Sequence, residues 1–216
     1  MNPNPRFTEA LNALPLVAIL RGLQAFEALA IGTALVDEGW TLIEVPLNSP
    51  LPLQSIETLT AALPRALVGA GTVLTPRQVR EVHAAGGRLV VSPNFDADVV
   101  AAALRLGMVC LPGVATASEA FSALAAGANG LKLFPAEMIT PEVVKALRAV
   151  LSADTVLLPV GGITPANMPA YRAAGANGFG LGSALYKPGM DAASVAGNAR
   201  AFIAAWRAGS TRAARA

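Results

Sequence analysis

The chain has 216 residues, of which 54% are hydrophobic and only 14% are charged. Intrinsic disorder requires few apolar residues and a high net charge, so this composition excludes it. The net charge of +2 is also too small for a surface that tracks nucleic-acid phosphates. The length predicts one domain over residues 1–216, with a lead-in over about residues 1–14 and a tail over about residues 208–216.

Export, membrane insertion and metal chemistry are not expected from the sequence. The longest span without a charged residue, 155–171, contains three prolines and therefore fits no transmembrane helix. One cysteine, Cys110, and one histidine, His83, cannot assemble a zinc site of the usual ligand types, although carboxylates alone could hold magnesium. We expect a cytoplasmic protein with no cofactor, no resident metal, and no nucleic-acid or membrane partner.

Short apolar segments of strand length recur along the chain at nearly regular intervals. Most are apolar on both faces, as expected for parallel strands covered by helices on one side and by core on the other. The predicted strands cover residues 17–21, 42–47, 67–73, 89–94, 109–113, 130–135, 156–162 and 178–183.

Helix-like segments lie between these strands. Thr116, with Glu119 three positions later, predicts a capping box. Thr75, Thr140 and Thr164 each precede a proline, a pattern typical of a helix start. The clearest predicted helices cover residues 95–106, 116–126 and 141–151.

Eight strand–helix units predict a single-domain (β/α)8 barrel, an α/β fold. A doubly wound open sheet is the structural alternative. The phosphate-binding patterns of open sheets are weak in this chain, because no GxxxxGK[ST] occurs and residues 178–182 fall one residue short of GxGxxG.

Only three charged residues fall inside the predicted strands: Arg21, Glu44 and Lys132. The neighbours of Glu44 and Lys132 in their strands are apolar and suit the helix layer, so the two charges should point into the barrel. Barrel active sites form at the carboxyl ends of the strands, where Arg21 ends the first one. A structural ion cluster without chemistry is the alternative interpretation, because buried charges also pair for stability.

Polar groups at the same rim favour a binding site over a structural cluster. Thr72 ends the third predicted strand, and residues 92–94 end the fourth. A lysine in an apolar wall beside another cation has a lowered pKa and can attack a carbonyl as the free amine. Glu44 can then move protons, while Arg21 and Thr72 hold a substrate carboxylate. The pattern predicts Schiff-base chemistry at Lys132.

Glycine-rich turns follow the last two predicted strands, at Gly161-Gly162 and Gly180–Ser183. Barrels often bind phosphate there through backbone N–H groups, and bare glycines let the main chain approach the anion. We therefore predict that these two turns bind a phosphate. Ordinary turn glycines are the alternative.

In its motifs the chain resembles the family of 2-keto-3-deoxy-6-phosphogluconate and -galactonate aldolases, the KDPG/KHG aldolase family. The resemblance extends from Leu14 to about Trp206. It rests on residues 18–22 (AILRG), 44–50 (EVPLNSP), 69–74 (GAGTVL), 112–113 (PG), 132–137 (KLFPAE) and 160–165 (VGGITP).

The resemblance implies a trimer of (β/α)8 barrels that splits a six-carbon 6-phospho keto acid into pyruvate and glyceraldehyde 3-phosphate without a metal. Carried onto this chain, it makes Lys132 the Schiff-base lysine and Glu44 the general acid/base. It places Arg21 and Thr72 at the substrate carboxylate. It also implies that Gly161, Gly162, Gly182 and Ser183 hold the phosphate.

Two positions depart from gluconate-type members, which carry Thr-Leu-Arg-Thr after the glutamate and threonine before the paired glycines. Here Pro46-Leu47-Asn48-Ser49 and Val160 stand instead, as in galactonate-type members. The resemblance therefore favours the 6-phosphogalactonate substrate and galactonate catabolism. A gluconate-type or dual-epimer aldolase is the alternative, and a phosphate-binding barrel without lyase activity is a more distant one.

Overall fold

The structure, a computed structural model, describes residues 4–213, and the side chains of residues 4–208. The strands in this part of the chain are β1 (Leu16–Ile19), β2 (Leu42–Pro46), β3 (Leu67–Gly71), β4 (Leu89–Val91), β5 (Val109–Leu111), β6 (Gly113–Val114), β7 (Leu131–Leu133), β8 (Leu157–Pro159) and β9 (Phe179–Leu181). The helices are α1 (Pro5–Ala13), α2 (Ala28–Asp37), α3 (Pro52–Ala62), α4 (Pro76–Ala84), α5 (Ala97–Arg105), α6 (Ala117–Ala125), α7 (Pro141–Val150), α8 (Met168–Ala173) and α9 (Ala192–Ala213).

The strands form a closed parallel barrel. One sheet has the order β5-β4-β3-β2-β1-β9, and a second has the order β6-β7-β8. Pro112 joins β5 to β6, so these two segments are one barrel strand, interrupted where proline has no N–H to donate. A bridge between Val160 and Gly180 joins β8 to β9 and closes the ring. The predicted (β/α)8 barrel is confirmed, and the open-sheet alternative is wrong.

Two apolar layers hold the barrel together. The larger one lies between the strands and the surrounding helices and contains Ile43, Val45 and Leu131. The smaller one fills the barrel interior with side chains such as Leu42, Leu67 and Leu89, and α1 packs on it through Phe7 and Ala10. Helix α1 thus covers the amino end of the barrel, and the carboxyl ends of the strands are left for a site.

The predicted strand ends and one predicted helix start need correction. The strands are two to five residues long, so Arg21, Thr72 and residues 92–94 lie in loops beyond them. Thr164 does not begin a helix, because Asn167 accepts a hydrogen bond from its N–H at 2.9 Å and donates one to the Gly162 carbonyl at 2.9 Å. These bonds make a turn, and α8 begins only at Met168.

Helix termini follow the sequence signals more closely. The capping box of α6 is present, with the hydroxyl of Thr116 and the carboxylate of Glu119 each bonded to the other's backbone. The predicted lead-in contains α1, and residues 208–213 of the predicted tail are the last residues of α9; residues 1–3 and 214–216 lie outside the described part. Among the described helices, none has the length and apolar character needed to cross a bilayer.

Candidate active site

The side chains of Glu44 and Lys132 both reach the interior of the barrel. Both line one narrow cavity, and both are almost fully buried, with 1% of Glu44 and 5% of Lys132 exposed. They reach it because β2 and β7 alternate: the neighbours of Glu44 and Lys132 on these strands pack in the helix-facing layer. The cavity walls are otherwise apolar: Val17, Ile19, Val91, Leu111, Leu158, Val160 and Gly180.

Burial favours the neutral forms of both groups, which raises the pKa of Glu44 and lowers that of Lys132. The pKa of Glu44 is raised to about 7, because desolvation outweighs the attraction of Lys132 and Arg21. One of its oxygens, Oε2, has no hydrogen-bond partner among the described residues. The pKa of Lys132 is lowered, chiefly by desolvation and further by Arg21, while Glu44 opposes the shift. Burial therefore makes the Lys132 amine easier to deprotonate than an exposed lysine, beside a carboxyl group whose pKa is about 7.

The Nζ atom of Lys132 also lies near an aromatic ring. This atom is 4.6 Å from the ring centroid of Phe134, within the range of a cation–π contact. Phe134 is two residues further along the chain, just beyond β7, so the end of the strand supplies both the amine and the ring.

Arg21 lies outside the barrel interior, which corrects its predicted place in a strand. It follows β1 by two residues and is exposed. Its Nη1 atom donates to the Asn48 side-chain oxygen at 2.9 Å. The next residue, Gly22, donates its backbone N–H to the buried Ser49 hydroxyl at 2.9 Å. The loop after β2 therefore holds the Arg21 loop through two adjacent contacts.

Thr72 has an unusual backbone conformation. Its φ is +57°, in the left-handed region that a β-branched residue rarely adopts. The residue is half-buried at the carboxyl end of β3, at the same end of the barrel as the Arg21 loop. Strained backbone of this kind is concentrated at functional sites, where the surrounding structure enforces it.

The two glycine turns are neighbours in space. The bridge between Val160 and Gly180 places Gly161-Gly162 beside Gly182-Ser183 at the carboxyl edge of the barrel. Gly161 and Gly162 have φ values of +114° and +59°, which explains why glycine occupies both positions. Ser183 is exposed at this edge.

A carboxylate at the same turn has no role in the sequence prediction. A Cβ atom placed on Gly161 would lie 2.3 Å from Oε2 of Glu137, so this carboxylate rests directly against the turn. Glu137 belongs to the KLFPAE motif, but the spacing of that motif does not show that it returns to the Gly161 turn. An acidic group at a predicted phosphate site is a feature that only the three-dimensional arrangement reveals.

The Ser92 side chain also differs from its predicted use as a group at the binding rim. Its hydroxyl is buried and donates to the Val73 carbonyl at 2.7 Å. Within the described residues, histidine, cysteine, aspartate and glutamate side chains form no group of three that could hold a metal ion.

A family model described as "Aldolase: KDPG and KHG aldolase" matches residues 7–196. The chain belongs to the KDPG and KHG aldolase family. It is therefore a carbon–carbon lyase, and the alternative of a barrel without lyase activity is wrong. A barrel whose interior holds a buried lysine beside a titratable carboxyl group suits the Schiff-base reaction of this family.

Individual family members are similar to the chain over nearly its whole length. A Rhizobium meliloti (strain 1021) protein named "Probable 2-dehydro-3-deoxy-6-phosphogalactonate aldolase" is 51% identical, over 90% of this chain and 92% of that one. A solved aldolase structure described as "Native KDPGal structure" is 46% identical, with a TM-score of 0.90 over 92% of this chain and 97% of that one.

A more distant aldolase structure bears on the chemistry. The KDPG aldolase of Legionella pneumophila, described as holding pyruvate as a covalent carbinolamine intermediate, is 28% identical to this chain. It has a TM-score of 0.81 and covers 92% of this chain and 97% of that one. A carbinolamine is the adduct of an amine with a ketone, so that aldolase shows the first step of Schiff-base catalysis on the shared fold.

Proposed function

We propose that the chain cleaves 2-dehydro-3-deoxy-6-phosphogalactonate to pyruvate and glyceraldehyde 3-phosphate, through a Schiff base on Lys132. The observation that carries the proposal is the burial of Lys132 and Glu44 in one cavity, with their pKa values shifted towards neutrality. The galactonate-type relatives and the captured pyruvate carbinolamine of the Legionella enzyme support it.

The reaction follows from these two groups. The neutral amine of Lys132 attacks the C2 ketone, and the resulting carbinolamine loses water as Glu44 donates a proton, which leaves an iminium ion. Glu44 then accepts the proton of the C4 hydroxyl as the C3–C4 bond breaks. The bonding electrons pass into the iminium as an enamine, and C4 leaves as the aldehyde of glyceraldehyde 3-phosphate. Protonation of the enamine at C3 and hydrolysis release pyruvate.

The two ends of the substrate are assigned to different groups at the rim. Arg21 and Thr72 bind the carboxylate, Arg21 by charge and Thr72 by its hydroxyl. The phosphate binds at the two neighbouring glycine turns, to backbone N–H groups of Gly161, Gly162, Gly182 and Ser183. Since the Glu137 carboxylate lies against the first of these turns, its negative charge opposes phosphate binding unless the side chain turns away.

The choice between the C4 epimers is assigned to the wall beside the reacting carbons. Val160 lines the cavity that holds Lys132 and Glu44, and it has no hydroxyl to bond to the substrate. The absence of that hydrogen bond favours the galactonate epimer over the gluconate epimer to a modest degree. An aldolase that uses both epimers is the second candidate, because one hydrogen bond does not make the preference absolute.

Assembly and location complete the proposal. We assign a homotrimer, as the family resemblance implies, with exposed apolar side chains covered between subunits. Phe26, Met138 and Leu51 are 84%, 74% and 68% exposed, which is unusual for side chains of this size. Light scattering after size-exclusion chromatography tests this, and a mass of one chain would overturn it.

The cytoplasm is the expected compartment, where galactonate catabolism supplies a phosphorylated acid that does not cross membranes.

Two experiments test the chemistry. Pyruvate release from each C4 epimer, coupled to lactate dehydrogenase, should give a higher kcat/KM for the galactonate substrate. A gluconate preference would overturn the role of Val160 and leave the mechanism standing.

The second experiment traps the Schiff base with borohydride in the presence of pyruvate. The parent enzyme and the Lys145→Met control should both be modified at Lys132, and to the same extent. The Lys132→Met variant should be unmodified and inactive. Labelling of Lys132→Met would exclude Lys132 as the reacting amine.

A further inference from the structure

The residue after Thr72, Val73, is held through both of its backbone polar groups by β4 and the residue that follows β4. The Val73 N–H donates to the Val91 carbonyl at 3.3 Å. The Val73 carbonyl accepts from the Ser92 hydroxyl at 2.7 Å, and Ser92 is only 2% exposed. Two adjacent residues of one chain segment therefore fix both polar groups of Val73.

The peptide before Thr72 is fixed as well. The carbonyl of Gly71 accepts a hydrogen bond from the Leu47 N–H at 2.8 Å, in the ladder between β2 and β3. Thr72 thus connects two peptides that are each held by a different neighbouring strand. The left-handed φ of +57° at Thr72 is the conformation that satisfies both sets of bonds. A threonine leaves this region readily when it is free to do so, because its branched side chain makes the conformation unfavourable.

We propose that Ser92 is a positioning residue, which acts through Thr72 by holding the Val73 carbonyl and thereby keeps the Thr72 hydroxyl aimed at the substrate carboxylate. The inference rests on the proposed function, because it requires Thr72 to bind the substrate. The hydroxyl of Ser92 itself does not touch substrate, since it is buried and committed to the backbone.

Loss of the Ser92 hydroxyl leaves a buried carbonyl without its donor, and Thr72 is then free to relax from its strained backbone. Thr72 contributes binding that is present equally in the ground state and the transition state. Its misplacement should therefore raise KM and leave kcat nearly unchanged. We expect Ser92→Ala to raise KM for the keto acid by about 10-fold. Ser92→Thr, which retains the hydroxyl, should restore KM.

The matched control is Ser55→Ala. Ser55 is also a fully buried serine, on α3, but its hydroxyl has no partner among the described residues. Removing it should leave KM unchanged. If Ser92→Ala reduces the yield of folded protein, Ser92→Cys gives the same comparison, since the thiol has a similar size and is a much weaker donor.

The deciding experiment is a double-mutant cycle of Ser92→Ala and Thr72→Ala, read as KM and kcat. The inference predicts that both single variants raise KM and that the double variant is no worse than Thr72→Ala alone. Additive effects, or a normal KM for Ser92→Ala beside a raised one for Thr72→Ala, would overturn the inference and leave the role of Thr72 standing. A normal KM for Thr72→Ala would overturn that role and the inference with it.

Discussion

Gly71 makes room for the carboxylate of Glu44. A Cβ atom added to Gly71 would lie 1.5 Å from Oε2 of Glu44 and 2.3 Å from its carboxyl carbon. Gly71 ends β3, beside the strand that carries Glu44, so the side chain of one strand crosses over the backbone of the next. Any side chain at position 71 must move the carboxylate away from its place in the cavity.

Gly71→Ala should therefore retain the fold and lose turnover. A displacement of about 1 Å can cost a reacting group 100-fold in rate, so we expect kcat to fall by about 100-fold or more. Circular dichroism and coupled pyruvate release provide the two measurements. The control is Gly197→Ala, on α9, where an added Cβ meets only the tip of Arg200 at 3.9 Å. Normal turnover in Gly71→Ala would show that Glu44 can act from another position.

The stability of the fold should depend on pH through Glu44. Its pKa rises from 4.5 to about 7 on folding, so the unfolded chain releases this proton at a lower pH than the folded protein does. The resulting stability is present in full below pH 4.5 and is lost as the pH rises through about 7. The Glu44→Gln variant cannot ionise at this position. Its free energy of unfolding should therefore rise relative to that of the parent, by about 3 kcal/mol in total between pH 4.5 and about 7.

Denaturant unfolding at several pH values measures this difference. The two stability curves should diverge between pH 4.5 and about 7 and run in parallel above it. Glu57→Gln, which removes an exposed carboxylate from α3, is the control. Curves for Glu44→Gln and the parent that stay parallel over the whole range would contradict the raised pKa.

The alternation of apolar and charged residues in two strands was enough to predict that Glu44 and Lys132 face the barrel interior. Local patterns carry that information, because neighbouring side chains in a strand point to opposite faces. The contact of Gly71 with Glu44 could not be predicted, since it depends on the pairing of two strands. The same applies to Glu137, whose carboxylate meets a turn 24 residues further along the chain.

Val160→Thr should shift the epimer preference towards the gluconate substrate. The added hydroxyl supplies one hydrogen bond at the cavity wall, which changes the ratio of the two kcat/KM values by about 2- to 10-fold. Val156→Thr places the same hydroxyl just before β8, at the opposite end of that strand, and should leave the ratio unchanged. An unchanged ratio in Val160→Thr would remove this position from the specificity argument.

Thr116→Ala should lower stability without changing the reaction. The variant removes the side-chain half of the α6 capping box and should cost about 1 kcal/mol in the free energy of unfolding. The control is Ser118→Ala, which changes an exposed side chain at the second residue of the same helix. A loss of stability below about 0.3 kcal/mol would show that solvent replaces the cap.

The interruption of the barrel wall at Pro112 divides it into two arcs, which meet again at the bridge between Val160 and Gly180. Glu44 belongs to the six-stranded arc and Lys132 to the three-stranded arc. Pro112 nevertheless takes part in holding the two arcs together, because its carbonyl accepts a hydrogen bond from the Lys132 N–H at 2.9 Å. The residue that interrupts the wall therefore also anchors the backbone from which the reacting amine projects.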